Sequence, residues 1–137
     1  MDANVLIYSI TESEYRAPCQ EVLRRIAAGE CEGRTSTAVL EEVLFLELSK
    51  RIGAIDGFTR YAYSILSPLI SVNDETFRLA LSLDTPKLGA NDRIHAATCL
   101  INEIEHIVSA DRGFDQLHIP RRLDPLDTEA LAQLNAH

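Results

Sequence analysis

Short apolar runs that alternate with segments of helical periodicity constrain the fold of this chain more than any other feature. Two such runs, residues 68–72 and 106–110, have the length of buried strands, and further extended pieces are expected at residues 33–36 and 121–123. Strands that alternate with helices form a parallel sheet, and helices cover both of its faces. The sequence therefore predicts an α/β fold of three layers, α/β/α, with a short central parallel sheet.

Caps and stop signals predict the helices. Residues 18–28 have apolar side chains at helical spacing, with Pro18 suited to a first turn and Gly29 to a stop. Ser36 or Thr37 can cap a helix that runs to about Ile52, and its apolar character on most sides predicts a mostly buried helix. Further helices are expected over residues 55–66, residues 75–83 after the cap Asn73, a range from Asn91 or Asp92 to Glu103, and residues from Asp127 onward.

Length indicates the number of domains, and net charge limits how this protein can bind nucleic acid. A chain of 137 residues is long enough for one domain with a packed core, and we expect a single domain over residues 1–137. Thirteen Lys and Arg residues stand against 21 Asp and Glu residues, a formal net charge of -8. This balance argues against wrapping nucleic acid by bulk electrostatics, so any attraction to RNA must be local.

Cysteine usage and hydropathy predict the compartment. The three cysteines form no C-x-x-C pair, and no basic segment followed by an apolar one opens the sequence. The longest apolar stretches, such as residues 43–46, fall far short of the roughly 20 residues that cross a bilayer. We therefore expect a soluble protein of the reducing cytoplasm with no membrane contact.

Glu42 has surroundings that are unusual for a surface carboxylate. Its neighbours at helical spacing are all apolar: Ala38, Val39, Phe45 and Leu46. A charge among apolar side chains is costly unless a cation offsets it, although a long Glu side chain can also reach solvent. Glu41 has mixed neighbours. Glu47 has Lys50 and Arg51 at helical spacing, and we interpret it as an exposed ion-pair member.

Three aspartates stand where predicted helices begin or strands end. Asp92 lies at the expected start of a helix, where a capping role is the ordinary explanation. Asp111 follows the apolar run IVSA, so it lies at the carboxyl edge of the predicted sheet, where binding sites and turns are both common. Asp2 precedes an apolar run and taken alone indicates no more than a chain terminus.

Four segments carry these acids in order: MDANVLIY, TSTAVLEEV, NDRIHAATC and IVSADRGFDQL. The first is an Asp with Asn two residues later, and the second is a Ser or Thr start before a helix with an acid. The third is an Asp before an Ala-rich helix, and the fourth is a strand followed by Ser, a spacer, Asp and an aromatic residue. In this order and spacing they resemble the PIN-domain family, especially the VapC-like toxin nucleases of toxin–antitoxin pairs.

The resemblance implies a PIN-like fold and a metal-dependent endoribonuclease, a hydrolase of RNA phosphodiester bonds. It implies four acids that bind metal and act in catalysis: Asp2, Glu42, Asp92 and Asp111. The spacing from Ser36 favours Glu42 over Glu41. Asn4 and Ser36 or Ser109 are candidates for hydrogen bonding to these carboxylates behind the metal.

The implied chemistry selects the ion. A divalent metal acidifies a water molecule and neutralises the charge that develops on the phosphoryl oxygens. Oxygen ligands without Cys or paired His favour Mg²⁺ or Mn²⁺ over Zn²⁺. Asp2, Asp92 and Asp111 are expected to bind the metal, and Glu42 either binds it or orients the attacking water. Without metal the acids repel one another, which predicts a partly protonated or disordered site.

Two departures from the family concern the first and fourth acids. A short apolar strand precedes the first acid in the family, whereas only Met1 does so here. Some members carry another acid two residues after the fourth, where this chain has Gly113, and Asp115 is the nearest alternative.

Several basic residues and one histidine lie near the implied site. His95 follows Asp92 by three residues, which allows a D-x-x-H ligand pair, but we prefer a packing or hydrogen-bonding role. Five basic residues of the second half are candidates for holding the RNA backbone, with solvated surface charge as the alternative: Lys87, Arg93, Arg112, Arg121 and Arg122.

Other functions remain to be weighed against a nuclease. A haloacid dehalogenase phosphatase needs a second Asp at the position of Asn4, and a phosphoreceiver domain needs a late lysine beyond Lys87, so we disfavour both. The main alternative is a non-catalytic PIN-like scaffold that binds RNA or a protein. The resemblance also implies a homodimer and an antitoxin partner whose basic tail enters the acidic pocket.

Overall fold

The central sheet is short and parallel, as predicted. In the computed structural model, which describes residues 1–134, β1 (His106–Val108) pairs in parallel with β2 (Arg121–Leu123). The strand expected at residues 68–72 is reduced to one parallel bridge between Ser36 and Ile70. Pro68 cannot donate a backbone hydrogen bond, which limits the ladder on that side.

Met1 and Asp2 lie between this bridge and β1. The Met1 nitrogen donates to the Arg34 carbonyl at 2.9 Å, and the Asp2 N–H donates to the Val108 carbonyl at 3.1 Å. The hydroxyl of Thr35 donates to the Met1 carbonyl at 3.0 Å. Two residues thus take the place of the strand that the resemblance implies before the first acid. The extended segments lie side by side in the order 68–72, 34–36, 1–2, β1, β2.

Seven α-helices surround these segments in the described part of the chain. Their bounds are α1 (Ala3–Tyr8), α2 (Arg16–Ala27), α3 (Thr37–Ser49), α4 (Phe58–Leu66), α5 (Asp74–Ser82), α6 (Ala90–Ile101) and α7 (Thr128–Ala132). A 3-10 helix (Arg112–Gln116) connects β1 to β2. Helix α1 had no sequence-based prediction, and it begins where the Asp2 carboxylate accepts a hydrogen bond from the Ala3 N–H at 2.7 Å. Among residues 1–134, no helix combines the length and apolar character that a membrane span needs.

Helices cover both faces of β1. Ile107 packs against buried residues of α6 and the 3-10 helix, including Ala96 and Phe114. Val108 packs against residues of α2 and α7, including Val22 and Leu131. Because successive strand residues point to opposite faces, these two clusters lie on opposite sides of the sheet. The α/β/α order is therefore confirmed. A third cluster of buried side chains joins the four helices α1, α2, α3 and α4. Its members are Ala3, Leu6, Leu23, Val39, Leu40, Val43, Ala62 and Leu66.

Helix α3 is less buried and shorter than predicted. Leu44, Phe45 and Leu48 are exposed, so one stripe of apolar side chains on this helix has no covering element in the described residues. The helix ends at Ser49, because Lys50 adopts the left-handed conformation with φ of 58° and stops the helix before Ile52.

Glu47 does not form the ion pair with Lys50 or Arg51 that its helical spacing indicated. Its carboxylate accepts hydrogen bonds from the Thr59 N–H at 2.8 Å and the Gly57 N–H at 3.3 Å. These are free N–H groups at the start of α4, where a carboxylate is favourable, and they lower the pKa of Glu47. Glu47 therefore fastens α4 to α3 instead of pairing along its own helix.

Candidate metal centre

The Asp2 carboxylate accepts hydrogen bonds from the next residue in the chain and from a residue 107 positions away. Its side chain is 6% exposed and lies at the carboxyl end of β1. Oδ1 accepts from the Ala3 N–H at 2.7 Å, and Oδ2 accepts from the Ser109 hydroxyl at 2.7 Å. The first acid is therefore fixed at the edge of the sheet although only Met1 precedes it.

Ser109 is the hub of the hydrogen bonds behind the acids. Besides donating to Asp2, its fully buried hydroxyl accepts from the Asn4 amide at 3.1 Å and from the Asp111 N–H at 3.0 Å. Asn4 thus acts on the acids through Ser109. Ser36 has a different role from the one expected, because its hydroxyl caps α3 by accepting from the Val39 N–H at 3.3 Å. It makes no hydrogen bond to a carboxylate in the part of the chain described.

Asp111 lies just beyond β1, at the start of the 3-10 helix. Its Oδ1 accepts from the Gly113 N–H at 2.8 Å. A Cβ atom at position 113 would lie 3.0 Å from the Lys87 carbonyl oxygen and 3.1 Å from Asp111 Oδ1. A side chain at this position, such as the extra acid that some family members carry, would be crowded against the Lys87 backbone and the Asp111 carboxylate. Asp115 does not replace it, because it is exposed and paired with Arg122 at 2.8 Å.

Asp92 lies in the first turn of α6. It is not the helix cap that its position suggested, because the helix begins two residues earlier, at Ala90, with Gly89 as the capping residue. Burial is the main cause that raises the pKa of Asp92 to about 8, followed by a hydrogen bond with Asp111 and the charges of Asp2, Asp111 and Glu42. The same hydrogen bond is the main cause that lowers the pKa of Asp111.

The two pKa shifts point in opposite directions, so Asp92 is the carboxyl of this pair whose protonated form is favoured. The raised pKa of Asp92 is in line with the mutual repulsion expected of crowded carboxylates. It also shows that the acids from α6 and from the edge of β1 meet, and that Asp2 and Glu42 lie near enough to act on Asp92 electrostatically.

Glu42 and His95 complete the cluster from α3 and α6. The Glu42 side chain is 31% exposed, whereas Glu41 is fully at the surface. His95 Nε2 lies 3.3 Å from Glu42 Oε1 and 3.6 Å from Asp2 Oδ1. Glu42 Oε1 and both ring nitrogens of His95 are buried without a hydrogen-bond partner in the described structure. A packing or hydrogen-bonding role was preferred for His95. The structure buries its ring but gives the ring nitrogens no hydrogen-bond partner among the described residues, and the D-x-x-H spacing indicated its place beside Asp92.

The residues present fit a divalent cation. Ligand atoms of Asp2, Asp92 and His95 all lie within 4.8 Å of one another. Within residues 1–134, no Lys or Arg forms an ion pair with any of the four acids. Buried carboxylates without a cationic side chain either hold a proton or need another positive charge, and oxygen-rich sites suit hard divalent ions.

The basic residues near the site divide into two groups. Arg93 donates to three backbone carbonyls of the preceding loop, those of Leu83, Thr85 and Leu88. Arg122 is held by Asp115 and Asp124. These two are structural and are not available to RNA. The other three are exposed and form no ion pair within the described residues: Lys87, Arg112 and Arg121.

Comparison with known proteins agrees with the geometry. No curated protein matches the chain. A family model described as PIN domain matches residues 1–119, a range that covers most of the chain and includes Asp2, Glu42, Asp92 and Asp111. With this match and an α/β/α fold around a small parallel sheet, the chain belongs to the PIN-domain family.

Proposed function

We propose that this protein is a metal-dependent endoribonuclease that hydrolyses RNA phosphodiester bonds with Mg²⁺ or Mn²⁺. PIN domains are generally nucleases, which places the chain among hydrolases of nucleic acids. The observation that carries the proposal is the meeting of carboxylates from α1, α3, α6 and the edge of β1 with no Lys or Arg paired to them in residues 1–134.

The four acids have distinct places in this proposal. Asp2, Asp92 and Asp111 hold the ion directly or through water, and the more exposed Glu42 holds it or orients the attacking water. When bound, the ion supplies the charge that acidifies water and stabilises the phosphoryl oxygens. Ser109 and Asn4 keep Asp2 and Asp111 in place, so that the site does not reorganise during the reaction.

RNA is attracted locally in this proposal. The backbone of Lys87 lies beside Gly113, because its carbonyl oxygen would be 3.0 Å from a Cβ there. Arg112 directly follows Asp111. Both side chains are exposed and unpaired in the described structure, so they are placed to hold phosphates next to the acids.

We further propose that the protein is the cytoplasmic toxin of a toxin–antitoxin pair and a homodimer. The VapC-like motifs support the first statement, and a net charge of -8 suits an antitoxin with a basic tail. The exposed apolar stripe of α3, formed by Leu44, Phe45 and Leu48, supports an interface. Expression in cells without antitoxin should arrest growth for the wild type and not for Asp92→Asn.

Cleavage of structured RNA in Mn²⁺ tests the nuclease. We expect cleavage by the wild type that EDTA abolishes, and a loss of at least about a hundredfold for Asp92→Asn. Asp74→Asn is the matched control, because Asp74 is also in the first turn of a helix but is exposed. Glu42→Gln and its exposed neighbour Glu41→Gln form a second matched pair on α3.

Either of two results would contradict the proposal that this protein is a ribonuclease. Equal cleavage by wild type and Asp92→Asn would assign the activity to a contaminant. No cleavage by any of the proteins, with RNA still bound, would favour the non-catalytic PIN-like scaffold.

A further inference from the structure

We propose that His95 is a nitrogen ligand of the metal centre and that it makes the centre prefer Mn²⁺ to Mg²⁺. The proposal rests on the metal-dependent function proposed above, and it adds a residue outside the four acids. It starts from a buried imidazole that faces the carboxylates and has no partner of its own.

The burial of His95 requires an explanation. Its side chain is 3% exposed, and neither ring nitrogen has a hydrogen-bond partner in the described structure. Leaving a buried polar group without a partner is costly, so most such groups in folded proteins have partners. A ligand bound to Nε2 would remove this cost at that nitrogen.

The atoms that surround His95 Nε2 indicate that its missing partner is a metal ion. Nε2 lies 3.3 Å from Glu42 Oε1 and 3.6 Å from Asp2 Oδ1, and neither contact has hydrogen-bond geometry. Ligand atoms that surround one ion at about 2.1 Å lie about 3 Å apart when adjacent and about 4 Å apart when opposite. The spacing of these atoms is therefore that of ligands around a shared cation.

The helix presents Asp92 and His95 together. They are three residues apart on α6 and so share one face. The next residues, Ala96 and Ala97, are fully buried, which fixes the rotation of the helix. Their ligand atoms and that of Asp2 all lie within 4.8 Å of one another.

An imidazole ligand changes which ion is favoured. Mg²⁺ prefers oxygen ligands, whereas imidazole suits transition metals, and Mn²⁺ accepts both imidazole and carboxylate. A centre of several carboxylates and one imidazole therefore favours Mn²⁺ over Mg²⁺. Without the imidazole, this preference should decrease.

Electron spin echo envelope modulation of bound Mn²⁺ tests the ligand directly. The wild type should show coupling to ¹⁴N that changes to a ¹⁵N pattern when only histidine is labelled. His106→Gln, at the start of β1 and exposed, is the control and should keep the coupling. His95→Gln should lose it, and Mn²⁺ titrations should show at least about a tenfold loss of affinity with a smaller loss for Mg²⁺.

The outcomes separate this proposal from the nuclease proposal. Mn²⁺ bound to wild type without histidine coupling overturns the role of His95 and leaves the nuclease standing. If folded His95→Gln has the same ratio of Mn²⁺ to Mg²⁺ affinity as wild type, His95 does not make the centre prefer Mn²⁺. If the wild type neither binds Mn²⁺ nor cleaves RNA, both proposals fail. The labelling measurement on wild-type protein shows whether any histidine binds the ion even if His95→Gln does not fold. The same measurement on a variant with His106, His118 and His137 replaced by Gln then assigns the coupling to His95 or excludes it.

Discussion

The Ser109 hydroxyl donates a 2.7 Å hydrogen bond to the Asp2 carboxylate across 107 residues of chain. The same oxygen accepts from the Asp111 N–H and from the Asn4 amide. One hydroxyl thus fixes the first and fourth acids of the centre relative to each other.

Ser109→Ala should therefore weaken both the fold and the centre. Loss of a buried hydrogen bond to a charged group costs about 1.5–3 kcal/mol, and we expect that decrease in the free energy of unfolding in urea. Affinity for Mn²⁺ should decrease by about 10–100-fold. Ser82→Ala is the control, because Ser82 is exposed and bonds only to a carbonyl of its own helix. A free energy of unfolding within about 0.5 kcal/mol of wild type would contradict this role for Ser109.

The pKa of Asp92, raised to about 8, predicts how the metal-free protein responds to pH. In the unfolded chain this carboxyl has an ordinary pKa near 4, so between about pH 4 and pH 8 the native state holds a proton that the unfolded state releases. Stability in EDTA should therefore decrease as pH rises through this window. The lowered pKa of Asp111 acts in the opposite sense, and its contribution is lost on acidification below its ordinary range.

Thermal unfolding of wild type and Asp92→Asn in EDTA at pH 6 and pH 8 isolates this effect. We compare the Tm of Asp92→Asn minus the Tm of wild type at the two pH values. This difference should be greater at pH 8 than at pH 6. Mn²⁺ should raise the Tm of wild type most at pH 8, because the metal needs the deprotonated carboxylate. A relative Tm that is equal at both pH values, or smaller at pH 8, would show that Asp92 is not protonated in the native state.

Lys87 and Arg112 predict where RNA is held. Removing both charges should weaken binding of single-stranded RNA for every sequence tested. The slope of the logarithm of the binding constant against the logarithm of salt concentration should become shallower by about one unit for each charge removed. Binding is measured with Asp92→Asn as the background, so that RNA is not cut. Arg60→Ala, which removes an exposed charge from α4, is the control and should have little effect. Equal weakening by Arg60→Ala would indicate only a loss of overall charge.

The exposed stripe of α3 predicts the dimer interface. Leu48 is 71% exposed, and Leu48→Asp should convert the dimer to a monomer, because it places a charge in an apolar contact. Analytical ultracentrifugation measures the change. Leu81→Asp is the matched control, since Leu81 on α5 is also 71% exposed. A monomeric wild type, or dissociation by Leu81→Asp alone, would exclude this interface.

Local sequence predicted the layers of the fold and most helices, because caps and apolar periodicity are set by neighbours in the chain. Asn73 caps α5 as expected, and Gly29 follows α2 closely. The preference for Glu42 over Glu41 rested on the spacing from Ser36 and on neighbours at helical spacing. The structure places Glu42 Oε1 3.3 Å from His95 Nε2 and leaves Glu41 exposed.

The features that sequence missed depend on distant contacts. The Met1 nitrogen and the Asp2 N–H donate to the carbonyls of Arg34 and Val108, which no local pattern around residues 1–8 indicates. The single bridge at Ile70 likewise depends on Ser36 across the sheet. The sequence favoured a packing or hydrogen-bonding role for His95, whereas its ring faces acids from other elements, Asp2 before α1 and Glu42 on α3.

Arg93 joins the loop before α6 to the helix itself. Its guanidinium holds carbonyls at residues 83, 85 and 88, and its backbone directly follows Asp92. Lys87 belongs to that loop. The loop that carries Lys87 is therefore fastened to the helix that carries Asp92, so under the proposed function a phosphate bound at Lys87 would keep a fixed position relative to that acid.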